Sequence, residues 1–418
     1  MFLSIKKFSS NRVRALVLIG GTFSGARMLI GATSALFLLS KGLSIADIAN
    51  LKAIQAFVIL VSDVPIGYFA DKYDKRISVG CSFVFASMWL ILTGLFSNFC
   101  GIAIAEVCNA LSLTFINGAF DAYLIEVYKQ EEKEYDLKKI FSEYYSFEFF
   151  VMSLAVLVSG FFPSISSPFL WFLGGGIMIG LLFLFLALFF SDKGVQKKKK
   201  HVFSLAHMRS DLRYFVSLLS TQQWFVFLFI SYLLINVVYQ IFIQYWQVFI
   251  QFSAPYPLVA TAFSVVFFCI LLIQSLAAKM AFRIPLFLNI VFLLGWFFFL
   301  LLALSQNIVI FSIGGSIGFF ASMRMIQLWV DRHINEIVKD ELRATVLSLL
   351  SFVLRLVLIG VLPFVGKLSL KGIGYVIVLM TIMVSGFGVF WLIGRFFQHQ
   401  LFSHDTEKAG DVFYVEEE

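Results

Sequence analysis

The sequence predicts an all-α, polytopic membrane protein with twelve transmembrane helices in two six-helix halves. Three observations carry this expectation. Hydrophobic residues make up 60% of the 418-residue chain and charged residues 14%, against roughly 45–50% and about 25% in a soluble domain. A water-soluble fold of this composition would lack the polar side chains to cover its surface. The apolar residues gather in runs close to the ~20 residues that cross the hydrocarbon of a bilayer, and the charges gather in the intervals between them.

Twelve runs qualify, at about 13–39, 48–69, 77–97, 100–127, 140–162, 169–190, 223–249, 257–278, 284–304, 308–330, 344–364 and 373–397. All are expected to be helices, because unpaired backbone polar groups are not tolerated in lipid. The first run follows Lys6, Lys7 and Arg12 and has no small-residue cleavage site, so it is read as a retained span rather than a signal peptide. The boundaries of the fourth and fifth runs are the least regular, because acids intrude on them. The longest polar interval, 191–222, contains "DKGVQKKKKHVF" and separates the halves 1–190 and 223–397. Its basic patch is read as an anchor beside anionic lipid. The tail, 398–418, is polar, ends in acids, and is expected to be disordered.

Orientation follows from Lys and Arg. With the amino terminus in the cytoplasm, the cytoplasmic segments hold 25 of the 32, and the opposite side holds Lys41, Lys52, Lys367 and Lys371. Both termini are therefore expected in the cytoplasm. The net charge of +7 needs no nucleic-acid partner. The four cysteines lie in or beside apolar runs without C-x-x-C spacing, and read as packing residues rather than disulfides or metal ligands. No H-E-x-x-H, D-D-x-x-D or Walker A pattern occurs, so no enzyme, cofactor, metal or ATP-driven machine is expected.

An ionisable group at bilayer depth costs about 2.5–3.5 kcal/mol on insertion scales, so each one asks for a reason. Arg27 sits near the middle of the first span, within a stripe of Gly20, Ser24, Gly31 and Ser34. The second span holds Asp63; the fourth carries Glu106, Asn109, Asn117 and Asp121 along one line; the fifth holds Glu148. On the seventh, Asn236, Gln240 and Gln244 follow Tyr232 at four-residue spacing and so share a face, which Gln247 and Gln251 continue. The tenth has Gly314, Gly315 and Gly318 above Arg324, and the eleventh has Arg355. The carboxyl-terminal half thus shows two arginines and no acid at depth. Together these side chains are expected to line a wet central cavity, with Ser24, Arg27, Glu106, Asn117, Asn236, Gln240, Gln244, Arg324 and Arg355 facing substrate. Tyr239, Tyr245 and Trp246 are candidates to stack on it. Most of the 52 phenylalanines are read as lipid-facing or packing residues.

Between the second and third runs lies "GYFADKYDKR" (67–76). It resembles the signature of the major facilitator superfamily at this place, G-x-x-x-D-[RK]-x-G-[RK]-[RK], with Gly67, Asp71, Lys72, Lys75 and Arg76 on its positions. Asp74 replaces the second glycine; Asp tolerates left-handed backbone, so the turn is expected to survive. "QSLAAKMAFR" (274–283) keeps Lys279 and Arg283 at matching offsets but has Ala278 in place of Asp71, as a degraded second copy would. "ELRATVLSLLSFVLRL" (341–356) is similar to the start of the eleventh helix in bacterial members. The resemblance implies two pseudo-symmetric halves whose first, fourth, seventh and tenth helices surround the substrate. It also implies a cytoplasmic latch: Asp71 at the start of the eleventh helix beside Arg343, and Lys75 or Arg76 on Asp121 or Glu126.

The function expected is secondary active transport by alternating access in the cytoplasmic membrane of a bacterium. The cargo would be a polar or anionic small organic molecule such as a siderophore, drug or metabolite. Export is favoured; proton-coupled import of a nutrient or metal chelate is the alternative, and a non-transporting receptor the second. Protons are the expected coupling ion, with Glu148, Glu106 and Asp63 as candidate carriers and Arg27 matched in depth to Glu148. The partners are the bilayer, the substrate and protons, and the working unit is expected to be a monomer.

Overall fold

The computed structural model describes residues 10–72, 74–131, 137–162, 164–189, 205–254, 258–280, 284–338 and 342–412. Every regular element among them is helical: α1 Asn11–Met28, α2 Ser34–Ser40, α3 Ile45–Lys72, α4 Lys75–Leu95, α5 Phe99–Ile116, α6 Ala119–Glu131, α7 Leu137–Ser159, α8 Phe169–Phe189, α9 Leu205–Thr221, α10 Gln223–Phe252, α11 Ala260–Met280, α12 Leu286–Ser305, α13 Val309–Ile337, α14 Arg343–Ser369 and α15 Ile373–Val412. Among the described residues ten segments are long and apolar enough to cross a membrane, with α5 and α6 counted as one, Phe99–Glu131. The other two expected spans are α1–α2, interrupted at residues 29–33, and α7, which carries Glu143 and Glu148. The fold is that of a polytopic all-α membrane protein.

The chain forms two compact units, Met1–Val202 with Tyr256–Leu272 and Leu362–Gly366, and Phe203–Pro255 with Ile273–Val361 and Lys367–Glu418. In the first, α4 packs on α5 and α8, α3 on α5, and α1 on α7 and α8. In the second, α12 packs on α13 and α15, and α10 on α13 and α15. The pairings α4–α5, α1–α8 and α4–α8 therefore recur six spans later as α12–α13, α10–α15 and α12–α15, the pattern of an internal structural repeat.

Small residues explain why two distant segments cluster with the first unit. Ser159 and Ser264 share a hydrogen bond of 3.0 Å, and Thr261 Oγ1 donates to the Gly160 carbonyl at 2.6 Å. Gly366 lies so near α3 that a Cβ there would stand 2.9 Å from Ala49 Cβ. The same logic sets α1 on α7: a Cβ at Gly21 would meet the Phe147 ring at 2.7 Å, and one at Gly25 would meet Val151 Cγ1 at 2.6 Å. Close packing through small residues is the main attraction available between helices in lipid. Gly20 and Gly31, expected in a polar stripe, are likewise covered, by Phe120 and Phe267. On α13, Gly315 approaches Leu300, and Gly318 lies against the Trp296 ring. These glycines are packing positions.

Local chemistry corrects three further expectations. The fourth span is not one continuous helix: α5 closes at Asn117, and Gly118 takes φ +74° before α6 begins, a left-handed conformation that glycine adopts without penalty. Asp74 is extended rather than left-handed, with φ −169° and ψ 130°. It caps α4, its carboxylate accepting the Arg76 backbone N–H at 2.8 Å, which satisfies one of the free donors at a helix start. The tail expected to be disordered is helical through Val412; no Gly or Pro interrupts residues 395–409.

Candidate functional site

Three elements of the first unit bring charge together in its interior. Glu106 and Asn109 stand one turn apart on α5, 3% and 2% exposed. Arg27 occupies the last turn of α1, and Lys52 lies in the second turn of α3. Arg27 Nη2 donates to Asn109 Oδ1 at 2.6 Å, and Asn109 Nδ2 donates to Glu106 Oε2 at 3.0 Å. Lys52 Nζ donates to both carboxylate oxygens of Glu106, at 3.1 and 3.2 Å. The Arg27 guanidinium also stacks 4.5 Å from the centre of the Trp89 ring and 5.6 Å from that of Phe23. Two cations thus serve one carboxylate, leaving the network with an excess positive charge. Arg27 Nη1 and Trp89 Nε1 are buried with no hydrogen-bond partner among the described residues, so the cluster holds more donors than acceptors.

Lys52 changes most from the sequence expectation. It is counted with the outer-side lysines, at the start of the run 48–69, and in the apolar helix α3 it pairs with an acid 54 residues away. Long lysine stems run along apolar surface while the head finds a polar partner. Lys41 is a second case: its ammonium donates to the carbonyls of Thr93, Gly94 and Phe96 at 2.8, 2.7 and 2.6 Å, closing the carboxyl end of α4. Burial pushes that ammonium below the ordinary lysine pKa.

Glu148 is held differently. Ser24 Oγ donates to its Oε1, and no cation contacts it among the described residues. Arg27, matched to it in depth, is turned toward α5 and α4. Asp121 accepts from Tyr145 Oη at 3.1 Å. Asp63 is half-buried on α3, and Asn117 is exposed at the break between α5 and α6.

Of the residues read as a latch, Lys75 Nζ contacts Glu126 Oε1 at 2.5 Å. Arg76 instead grips Asp74, with its Nη2 at 2.6 Å from Oδ2, and donates to the Phe189 carbonyl at 3.1 Å. Gly67 is exposed, and a Cβ there would meet nothing within 4 Å. The side chains of Asp71, Lys72, Lys279 and Arg343, together with Arg283 and the run 197–200, lie outside the described residues. Sequence reading missed one neighbouring pair, Arg12 with Glu131 at 3.1 Å.

In the second unit Asn236 Oδ1 accepts from Gln327 Nε2 at 3.0 Å, and Asn236 Nδ2 donates to the Tyr232 carbonyl at 2.8 Å. Tyr239 hydrogen-bonds Gln274. Gln240 is half-buried, and Gln244 keeps a buried Oε1 with no partner among the described residues. Tyr245 and Trp246, read as stacking candidates, are each 1% exposed and belong to the core. Asp331, one residue beyond the expected tenth span, continues the apolar helix α13 and interacts electrostatically with Arg324 and Tyr232. Arg355 also interacts electrostatically with Tyr232. Among the described residues no group of three or more His, Cys, Asp or Glu is arranged to hold a metal.

Apolar helices of this order and pairing, with charges held among them, define a multi-pass membrane transporter fold. The family model of the Major Facilitator Superfamily matches residues 16–359, and the chain belongs to that superfamily. The uncharacterized MFS-type transporter YxaM of Bacillus subtilis (strain 168) is 34% identical over 96 residues, a match spanning 22% of this chain and 23% of that protein. Among solved structures, the nucleoside transporter NupG superposes with a TM-score of 0.71 at 11% identity, over 91% of this chain and 99% of NupG. A POT family transporter in complex with 5-aminolevulinic acid gives 0.70 at 13% identity, over 93% and 96%. A D-xylose–proton symporter gives 0.66 at 13%, over 92% and 96%. These likenesses show the fold.

Proposed function

We propose that this membrane transporter is a proton-coupled secondary active carrier working by alternating access. It moves a polar or anionic small organic molecule across the cytoplasmic membrane of a bacterium, with both termini in the cytoplasm. The observation that carries the reading is the buried network of Arg27, Asn109, Glu106 and Lys52. Groups that each cost about 2.5–3.5 kcal/mol at bilayer depth are gathered into one interior cluster with a surplus of positive charge, which suits an anion. Glu148, hydrogen-bonded by Ser24 rather than paired with a cation, is the carboxyl suited to load and release a proton.

Export is the favoured direction, on the resemblance of the 67–76 motif to bacterial effluxers. A second reading, proton-coupled import, is supported by the Lys52–Glu106 pair, which places a proton acceptor directly beside an anion-binding ammonium. Everted membrane vesicles carrying a pH gradient, challenged with a panel of organic acids and a proton-flux dye, test the proposal. Addition of a transported acid should collapse part of the gradient, and Glu148→Gln should abolish that response. Full coupling in the Glu148→Gln protein would remove this residue from the mechanism.

A further inference from the structure

We propose that Lys52 and Glu106 form an exchangeable ion pair: a carboxylate of the transported molecule takes the Lys52 ammonium, and a proton takes Glu106. This rests on the proton-coupled import reading above, with Glu106 rather than Glu148 as the carboxyl linked to binding, since proton and anion then travel the same way.

The two ends of the pair differ in access. The Lys52 side chain is 27% exposed and that of Glu106 only 4%, so an incoming anion meets the ammonium first. Lysine is suited to the exchange, being a compact charge on a flexible stem with no fixed fork to realign. Arg27 is not the exchangeable cation: it is bonded to Asn109 and stacked on Trp89. Three groups face Glu106: Lys52 from α3, Asn109 from its own helix, and Arg27 from α1, whose charge acts across the neutral Asn109 amide. From α4 the Trp89 ring covers Arg27; the titratable side chains of that helix are Lys75, Arg76 and Cys81, two turns or more before Trp89. Lys52 is thus the one cation in direct contact with the carboxylate among the described residues.

Charge conservation favours the exchange. In the empty network two cations face one carboxylate. After exchange the same two cations face the substrate carboxylate, while Glu106 is neutral, its added proton drawn from water. The net charge inside the unit is the same in both states, so neither puts an extra charge at depth. Asn109 Nδ2 remains on Glu106 throughout, so the carboxyl released by Lys52 is not left without a partner.

The test uses the purified full-length protein in detergent, with acetate, succinate, citrate and benzoate as probes and succinamide as a neutral control. Wild type should be stabilised against heat by one or more of the carboxylates and not by the amide. Its affinity should rise by up to about tenfold for each unit of pH decrease, as one linked proton requires. Glu106→Gln, mimicking the protonated carboxyl, should bind with affinity independent of pH, and Lys52→Gln should not bind. The double variant Lys52→Gln/Glu106→Gln keeps the net charge of the wild-type network; it should elute as a single folded species and bind no carboxylate, which covers the case in which Lys52→Gln alone fails to fold. Absence of binding to wild type, unchanged pH dependence in Glu106→Gln, or wild-type binding by either lysine variant overturns the proposal. Liposomes loaded with a pH dye separate it from the transport reading. Binding with the expected pH behaviour but no proton entry on adding the anion leaves the ion pair standing and sinks transport. Proton entry undiminished in Glu106→Gln does the reverse.

Discussion

Asn109 is the connector of the amino-terminal network, and Asn109→Leu is the perturbation that tests it. Leucine keeps roughly the volume but removes two hydrogen bonds to charged groups, at 2.6 Å from Arg27 and 3.0 Å to Glu106. Such bonds contribute about 1.5–3 kcal/mol each when buried, so the pair sets an upper range of about 3–6 kcal/mol. Glu106 keeps both contacts to Lys52. Arg27, whose Nη1 has no partner among the described residues, keeps only its stacking on Trp89, worth about 0.5–2 kcal/mol. The cost should therefore fall on Arg27 and amount to about 3 kcal/mol. Reversible unfolding in mixed detergent micelles reads it, and Arg27→Met in the Asn109→Leu background should recover most of the loss. Unfolding of Asn109→Leu within about 0.5 kcal/mol of wild type, the ordinary range for an inconsequential substitution, would refute the connector role.

Two other predictions concern packing and surface charge. Lys75 and Glu126 are each about a quarter exposed, so a double-mutant cycle with Lys75→Gln and Glu126→Gln should give a coupling of about 1 kcal/mol, not several; a coupling above about 3 kcal/mol would mean a far drier pair. Gly25→Ala should lower thermal stability despite a helix-propensity gain of ~1 kcal/mol, because its Cβ would lie 2.6 Å from Val151 Cγ1 and overpacking costs about 1–3 kcal/mol. Val151→Ala in the same chain should restore it, and failure of that rescue would locate the clash elsewhere.

Spans without charge were legible from hydropathy because lipid imposes one rule on all of them. The sixth, read at 169–190, is α8 at Phe169–Phe189, and the seventh, read from 223, is α10 from Gln223. What escaped depended on partners. Lys52 at the start of an apolar run counts simply as an outer-side charge, and only the register of α3 against α5 brings Glu106 to it. Gly20, Gly31, Gly315 and Gly318 fit a cavity stripe as well as a packing stripe; the bulky ring or backbone on the facing segment decides. Asp331 was lost because the hydropathy run stops at 330, while α13 continues to Ile337. Asp74 is the case that local rules could have caught, since an Asp just before a helix is a common cap. Its place in a glycine-bearing motif drew attention to backbone conformation instead.

The network contains more charge than helix packing requires. Lys52 with Glu106 would already form a compensated pair, and Arg27 adds a cation with one donor left over. If its role were to glue α1 to α5, Arg27→Met should weaken the unit by the full value of a buried charged hydrogen bond. The opposite is expected: losing an uncompensated charge offsets losing the bond to Asn109, since replacing buried charges by apolar groups of similar size is often neutral or stabilising. Arg27→Met should therefore unfold within about 1 kcal/mol of wild type. On the proposed reading it should also lose transport of organic acids, because the surplus positive charge that attracts the anion is gone. The position of Arg27 agrees with this: α1 ends one residue beyond it, at Met28, and α5, which carries Asn109 and Glu106, gives way at Asn117–Gly118. Interrupted helices inside a membrane span leave backbone polar groups to be satisfied and are tolerated where polar surroundings meet them. A stable Arg27→Met protein that still carries organic acids at the wild-type rate would return this arginine to a structural role.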